Sequence, residues 1–205
     1  VVTTPRNCNG VITRTYTITD ECSNFITVDH VFTVTDNTNP TATAPTTVDL
    51  ECADDLPAAA TTIAEFLALT GADASDNCTA QAALTISSTD VVTTPRNCNG
   101  VITRTYTITD ECSNFITVDH VFTVTDNTNP TPTAPTTADL ECADDLPAAA
   151  ATIAEFLALA GADANDNCTA QAALTISSTA VVTPPGNCNG VITRTYTITD
   201  ECSNF

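Results

Sequence analysis

Lysine, methionine and tryptophan are absent from this chain of 205 residues, and 5 basic residues and 2 histidines face 25 acids. The resulting net charge of −20 argues against nucleic acid or an anionic membrane as partner, because both are repelled by it. No stretch approaches 18 consecutive apolar residues, so a membrane-spanning helix and membrane insertion of this segment are excluded. The cysteines form no CxxC pair and have no histidine neighbours, which disfavours a zinc site. No secretory leader pattern is found at the start, although a window from the middle of a longer protein would not contain one.

What is present repeats. Val1 to Gly10 returns at Val91 to Gly100 and, slightly altered, at Val181 to Gly190. Residues 91–180 differ from 1–90 only at positions 42, 48, 61, 70, 75 and 90. A 90-residue period suits one small domain per repeat rather than a solenoid turn. Near-identical copies placed end to end suit a fibre or stalk, whereas an enzyme needs one asymmetric pocket. The length is two periods plus a remainder, so the chain reads as a window on a longer array. Thr supplies 20 of the first 90 residues, and with abundant Val it favours strand over helix.

Asp36-Asn37-Thr38-Asn39-Pro40 and its copy Asp126 to Pro130 separate β-rich stretches and read as linkers. They divide the chain into residues 1–39, the end of a preceding repeat; 40–129, a complete one; and 130–205, a repeat without its last strand. Within the complete repeat, Val48 to Cys52 reads as a short strand and Ala83 to Ser87 as another. Thr62 and Glu65 form a capping box, Ile63, Phe66 and Leu67 share one helical face, and Gly71 supplies a stop. The clearest unit is a hairpin. Ile12, Arg14, Tyr16 and Ile18 alternate with threonines, and a register pairing Ile18 with Ile26 sets Tyr16 opposite Val28, Arg14 opposite His30 and Ile12 opposite Phe32. That face is the expected core, and the other is a wall of Thr. The loop Asp20 to Asn24 carries Cys22 at its tip.

The ten cysteines recur in phase, at 8, 22, 52 and 78, at 98, 112, 142 and 168, and at 188 and 202. Four per small domain imply disulfides and an oxidising compartment, most simply the cell exterior. Cys98 and Cys112 flank one continuous strand, so about 33 Å or more separates them at about 3.3 Å per residue, far beyond the roughly 7 Å a disulfide tolerates. Two of the three connectivities remain open. Cys8 and Cys22 are expected to bond upstream of Val1.

The motif T-x-T-D-E-C-S-N, followed by a strand and V-T-D-N-T-N-P, with E-C and D-N-C upstream, resembles HYR-type and related immunoglobulin-like repeats. These occur in large secreted or cell-surface proteins of Bacteroidota. The resemblance extends over the whole period and implies tandem immunoglobulin-like antiparallel β-sandwiches, mainly β with one short helix per repeat, in an extracellular and often adhesive setting. The helical insert departs from the plainest form. In that fold Cys112 and the Asp-Asn-Cys78 loop share the top, and Cys52 and Cys98 the bottom. This implies the bonds Cys52–Cys98, Cys78–Cys112, Cys142–Cys188 and Cys168–Cys202.

The same orientation brings each linker to the top loops of the next domain. The acids and amides there are Asp36, Asn37, Asn39, Asp73, Asp76 and Asp110, recurring as Asp126, Asn127, Asn129, Asp163, Asp166 and Asp200. Hard oxygen ligands of this kind suit Ca²⁺, and D-N-T-N-P is similar to the calcium-rigidified linkers of cadherins. Asp and Asn also cap turns with their own backbone, and acids keep surfaces soluble. No catalytic group recurs, so the chain is not expected to be an enzyme; Arg14 and His30 read as a satisfied polar pair. Asn77-Cys78-Thr79 fits a glycosylation sequon with a cysteine in its middle. The leading expectation is a disulfide-stapled structural repeat of a filament or adhesin stalk whose partners are neighbouring repeats. The alternative is a calcium-dependent module presenting its Thr face or loops to glycan, ice or another protein.

Overall fold

The computed structural model describes residues 8–93, 97–183 and 190–205. The chain is mainly β, with antiparallel sheets and two short α-helices among the described residues. Its strands are β1 (Cys8–Thr19), β2 (Phe25–Thr35), β3 (Thr41–Thr43), β4 (Val48–Leu50), β5 (Asp73–Ser75), β6 (Thr85–Val92), β7 (Cys98–Thr109), β8 (Phe115–Thr125), β9 (Thr131–Thr133), β10 (Asp163–Asn165), β11 (Thr175–Thr183) and β12 (Val191–Thr199). The helices are α1 (Ile63–Leu67) and α2 (Ile153–Leu157). One sheet has four strands in the order β4-β8-β7-β6, and β1-β2, β3-β5, β9-β10 and β11-β12 form two-stranded ones.

Hairpin β1-β2 takes the register expected from the alternation: Ile18 pairs with Ile26, Tyr16 with Val28, Arg14 with His30 and Ile12 with Phe32. A bulge between Cys8 and Gly10 is accommodated by Asn9 at φ 60°, a left-handed conformation that Asn tolerates. The loop is closed by Asp20, whose Oδ1 accepts from the backbone N–H of Cys22 and Asn24 and whose Oδ2 accepts from Asn24 Nδ2.

Helix α1 is shorter than the pattern suggests, but its capping box forms. Glu65 N donates to Thr62 Oγ1, and Glu65 Oε2 accepts from the backbone of Thr61 and Thr62, bonds that hold its carboxyl below the usual range. Five residues cannot persist as an isolated helix. Packing supplies the rest, with Ile63 and Phe66 buried. Gly71 ends this segment at φ +82°, and a Cβ there would meet Thr46 Cγ2 at 3.0 Å. Neither β3 nor β5 was expected. Three-residue strands that pair across distant segments, as Ala42 does with Ala74, carry too little periodicity to be read.

The chain divides into two compact units. The first comprises Val1–Val48, Pro57–Val91 and Thr103–Val121, the second Asp49–Leu56, Val92–Ile102 and Phe122–Phe205. Every boundary between them falls within the 40–129 stretch. The core of the first unit gathers Ala60, Ile63, Phe66, Ala74, Leu84, Tyr106 and Ile108, with Phe66 edge-on to Tyr106 at 5.2 Å between ring centroids. Tyr106 keeps its hydroxyl satisfied by accepting from Ala60 N at 3.2 Å. The second unit holds two clusters. In one, Ala53 meets Ile102, Phe122 and Val124; in the other, Ile153 and Phe156 of α2 meet Leu174 and Ile198.

Candidate functional site: staples and converging acids

Among the described residues three disulfides are formed, Cys8–Cys112, Cys52–Cys168 and Cys98–Cys202, each with 5.1 Å between Cα atoms. None is among the four inferred from the immunoglobulin-like arrangement, so the expected Cys52–Cys98, Cys78–Cys112 and Cys168–Cys202 bonds are corrected. The expected Cys142–Cys188 bond involves Cys188, which lies outside the described residues. Cys8 was expected to bond upstream and instead bonds to Cys112.

The reason is positional. Assigning a top and a bottom within one domain assumed that each repeat closes its own bonds. Instead, Cys8–Cys112 and Cys98–Cys202 are the same bond one period on, each spanning 104 residues, while Cys52–Cys168 spans 116. Each therefore reaches past one full repeat. Cys22 and Cys142 are exposed free thiols. The Cys78 thiol is pushed up in pKa by burial and then by the carboxylates of Asp36, Asp76 and Asp110.

In the second unit the residues around the staples interlock. Asn97 Oδ1 accepts from Ala53 N, and its Nδ2 donates to the carbonyl of Cys168. Asn127 N and Thr128 Oγ1 both donate to Glu51 Oε1, which lowers the pKa of Glu51. Asn204 Nδ2 donates to the carbonyl of Asp126 at 3.1 Å. The matching contact in the first unit runs from Asn114 Nδ2 to the carbonyl of Asp36 at 3.3 Å.

Of the acids expected to converge, Asp126, Asp166 and Asp200 do so, each offering an oxygen within 4.8 Å of the others. In the first unit Asp36 and Asp110 come together in the same way beside Cys112, whose sulfur is tied into the disulfide. Each acid spends oxygen on local turns. Asp126 Oδ1 accepts from Thr128 N, Asp166 Oδ2 from the N–H of Cys168 and Thr169, and Asp200 Oδ1 from that of Cys202 and Asn204. The remaining oxygens Asp126 Oδ2 and Asp166 Oδ1 are buried without a hydrogen-bond partner, as are Asp36 Oδ2 and Asp76 Oδ1. Burial, reinforced by Asp166, Asp200 and Glu51 and opposed by the Thr128 N–H, holds the Asp126 carboxyl above the ordinary range.

Asp73 and Asp163 stand outside both groups. Both are exposed and accept from the next backbone N–H, of Ala74 and Ala164; each opens a short strand and is satisfied there. Asn37, Asn39, Asn127 and Asn129 are exposed, and Asn127 spends its backbone N–H on Glu51 Oε1. Arg104 is buried and forms a two-pronged pair with Asp90, at 2.7 and 2.8 Å, while also donating to the Pro57 carbonyl. This Arg partner was not read from the sequence, because Asp90 lies within β6 and belongs to no local motif. On the Thr face, Thr105 Oγ1 donates across the hairpin to Asp119 at 2.7 Å.

No protein-family model matches the chain, and no curated protein matches it. The three disulfides are compatible with an extracellular structural module, and no helix among the described residues is long and apolar enough to cross a membrane.

Proposed function

We propose that this chain is a structural repeat of an extracellular filament, or of the stalk of a large cell-surface adhesin, in which each immunoglobulin-like repeat of 90 residues is covalently stapled to the next. The resemblance to HYR-type repeats of Bacteroidota supports the setting, and residues 40–129 are the full repeat on this reading. The observation that carries it is the recurrence of one disulfide, Cys8–Cys112 and again Cys98–Cys202. A bond that skips to the following copy can propagate along an array of any length. The thiols of Cys22 and Cys142 occupy the positions at which Cys112 and Cys52 are bonded one period away, so neighbouring repeats are their natural partners.

The pattern has a mechanical consequence. Tension entering at Cys8 crosses to Cys112, runs back along β7 to Cys98 and crosses to Cys202. Only the short strand between Cys98 and Cys112 lies on that covalent path, and it is already extended. Pulled by its ends at about 3.5 Å per residue, the oxidised chain reaches about 90 Å, against about 700 Å when reduced. Single-molecule pulling with and without thiol reductant tests this. A large length gain in the oxidised chain overturns the stapled-fibre reading. Electron microscopy of the native material should show filaments with a repeat of roughly 40–50 Å, a strand of about ten residues plus a linker.

A further inference from the structure

The geometry points to a divalent-cation site, of the Ca²⁺ class, formed by Asp126, Asp166 and Asp200, with Asp36, Asp76 and Asp110 as its counterpart one period earlier. It extends the stapled-repeat proposal but does not depend on it.

Three facts converge on the first of these clusters. Its acids offer oxygens all within 4.8 Å of one another, the span expected of atoms around one ion at 2.3–2.6 Å from each. Asp126 is 4% exposed and its Oδ2 has no hydrogen-bond partner, and Asp166 Oδ1 is likewise buried and unpartnered. Turn capping accounts for the other oxygens of these two residues, so these two need a different explanation. At the earlier position Asp36 and Asp110 converge, Asp36 is 6% exposed and Asp36 Oδ2 and Asp76 Oδ1 find no N–H or O–H donor, with the Cys78 thiol beside them.

A buried carboxylate oxygen without a partner is costly, and several aimed into one space repel one another. Lysine is absent from the chain, and the buried Arg104 is committed to Asp90 and Pro57, as Arg194 is to the Pro147 carbonyl. The donors are hard oxygens without histidine or thiolate, which selects calcium-like ions over zinc. Asp126 begins the linker after β8, Asp166 lies in the loop bearing Cys168, and Asp200 in the loop bearing Cys202. An ion there would tie together three segments distant in sequence, beside two of the three staples.

The test is calorimetric titration of the full oxidised chain with CaCl₂, paired with thermal melts in EGTA and in calcium. The expected result is saturable binding and a melting temperature raised by at least about 5 °C at saturation. Asp166→Asn retains an oxygen for the Cys168 and Thr169 N–H groups but removes one carboxylate. It should lower the number of bound ions and shrink the calcium shift, while melting no lower than the parent in EGTA. Asp76→Asn should do the same at the earlier cluster. No saturable heat and no calcium-dependent shift in the parent chain overturns the site, and so does a shift left intact in the double variant. An equal response to Mg²⁺ overturns the assignment to calcium. Pulling experiments are indifferent to all these outcomes, so failure of the ion site and failure of the fibre reading can be told apart.

Discussion

Residues 1–41 and 91–131 are identical in sequence, yet hairpins β1-β2 and β7-β8 occupy different environments. Tyr106 is 1% exposed and Tyr16 46%; Ile108 is fully buried and Ile18 60% exposed; Phe122 is fully buried and Phe32 37% exposed. Cross-strand and loop chemistry are shared, as the Thr15–Asp29 and Thr105–Asp119 bonds and the Asp20 and Asp110 caps show. The difference lies in the cover. Ala60, Ile63, Phe66 and Leu84 close over Tyr106 and Ile108, and Ala53 over Ile102, Phe122 and Val124. Among the described residues no segment does the same for β1-β2. A hairpin's pairing is therefore local, whereas its burial belongs to the segment preceding it in the period.

The largest effect should come from supplying that cover. A separate polypeptide with the sequence of residues 40–90, added to the chain, should slow amide exchange in β1 and β2 by more than about 100-fold, towards the protection of β7 and β8. The two hairpins yield identical peptides, so the measurement needs NMR on a segmentally labelled chain. Unchanged exchange would break the comparison.

Truncation should separate the copies next. Phe122→Ala should cost about 3–5 kcal/mol by opening a cavity, and Phe32→Ala well under about 1 kcal/mol, both read from denaturant melts. Equal costs would mean that β1-β2 is covered in solution.

The buried arginine gives a finer contrast. Asp90→Ala leaves the Arg104 guanidinium without its carboxylate and should cost about 1.5–3 kcal/mol. Ala180 already stands at the equivalent position, opposite Arg194 on β12, and there Arg194 Nη2 donates to the Pro147 carbonyl. Ala180→Asp should therefore stabilise, provided Arg194 is drawn into the same pair; a neutral result would show that the final repeat is too open to hold it.

The smallest effect concerns pH. Asp126 has its folded pKa raised, so in EGTA it is a destabilising charge at neutral pH. Its contribution improves as pH falls through a window just above the ordinary aspartate range. Asp90 is lowered by its bonds from Arg104, so its contribution is present above the ordinary range and is lost only at more acid pH. Within the Asp126 window the melting temperature should rise slightly on acidification, and Asp126→Asn should remove that rise. A parent chain whose stability falls steadily from pH 7 would place the Asp126 carboxylate in contact with solvent.

Features set by adjacent residues were legible along the chain. The alternation of Ile12, Arg14, Tyr16 and Ile18 set the hairpin register, Thr62 with Glu65 set the helix start, and the 90-residue period was visible from the copies; the helix itself stops at Leu67, short of Gly71. The sequence also placed Asp126, Asp166 and Asp200 among the candidate ligands, because acids in turn-forming contexts repeat in phase. Asp73 and Asp163 lie outside both converging groups, and spacing along the chain does not reveal which turn acids meet across segments. Only the tertiary structure decided which cysteines meet. Strand length could exclude Cys98–Cys112, but Cys8 with Cys112 and Cys98 with Cys202 join positions over 100 residues apart. Identical copies also give the sequence no means of telling a partner in the same repeat from one in the next. Proximity in space makes that choice, and it also makes one hairpin core and leaves its twin exposed.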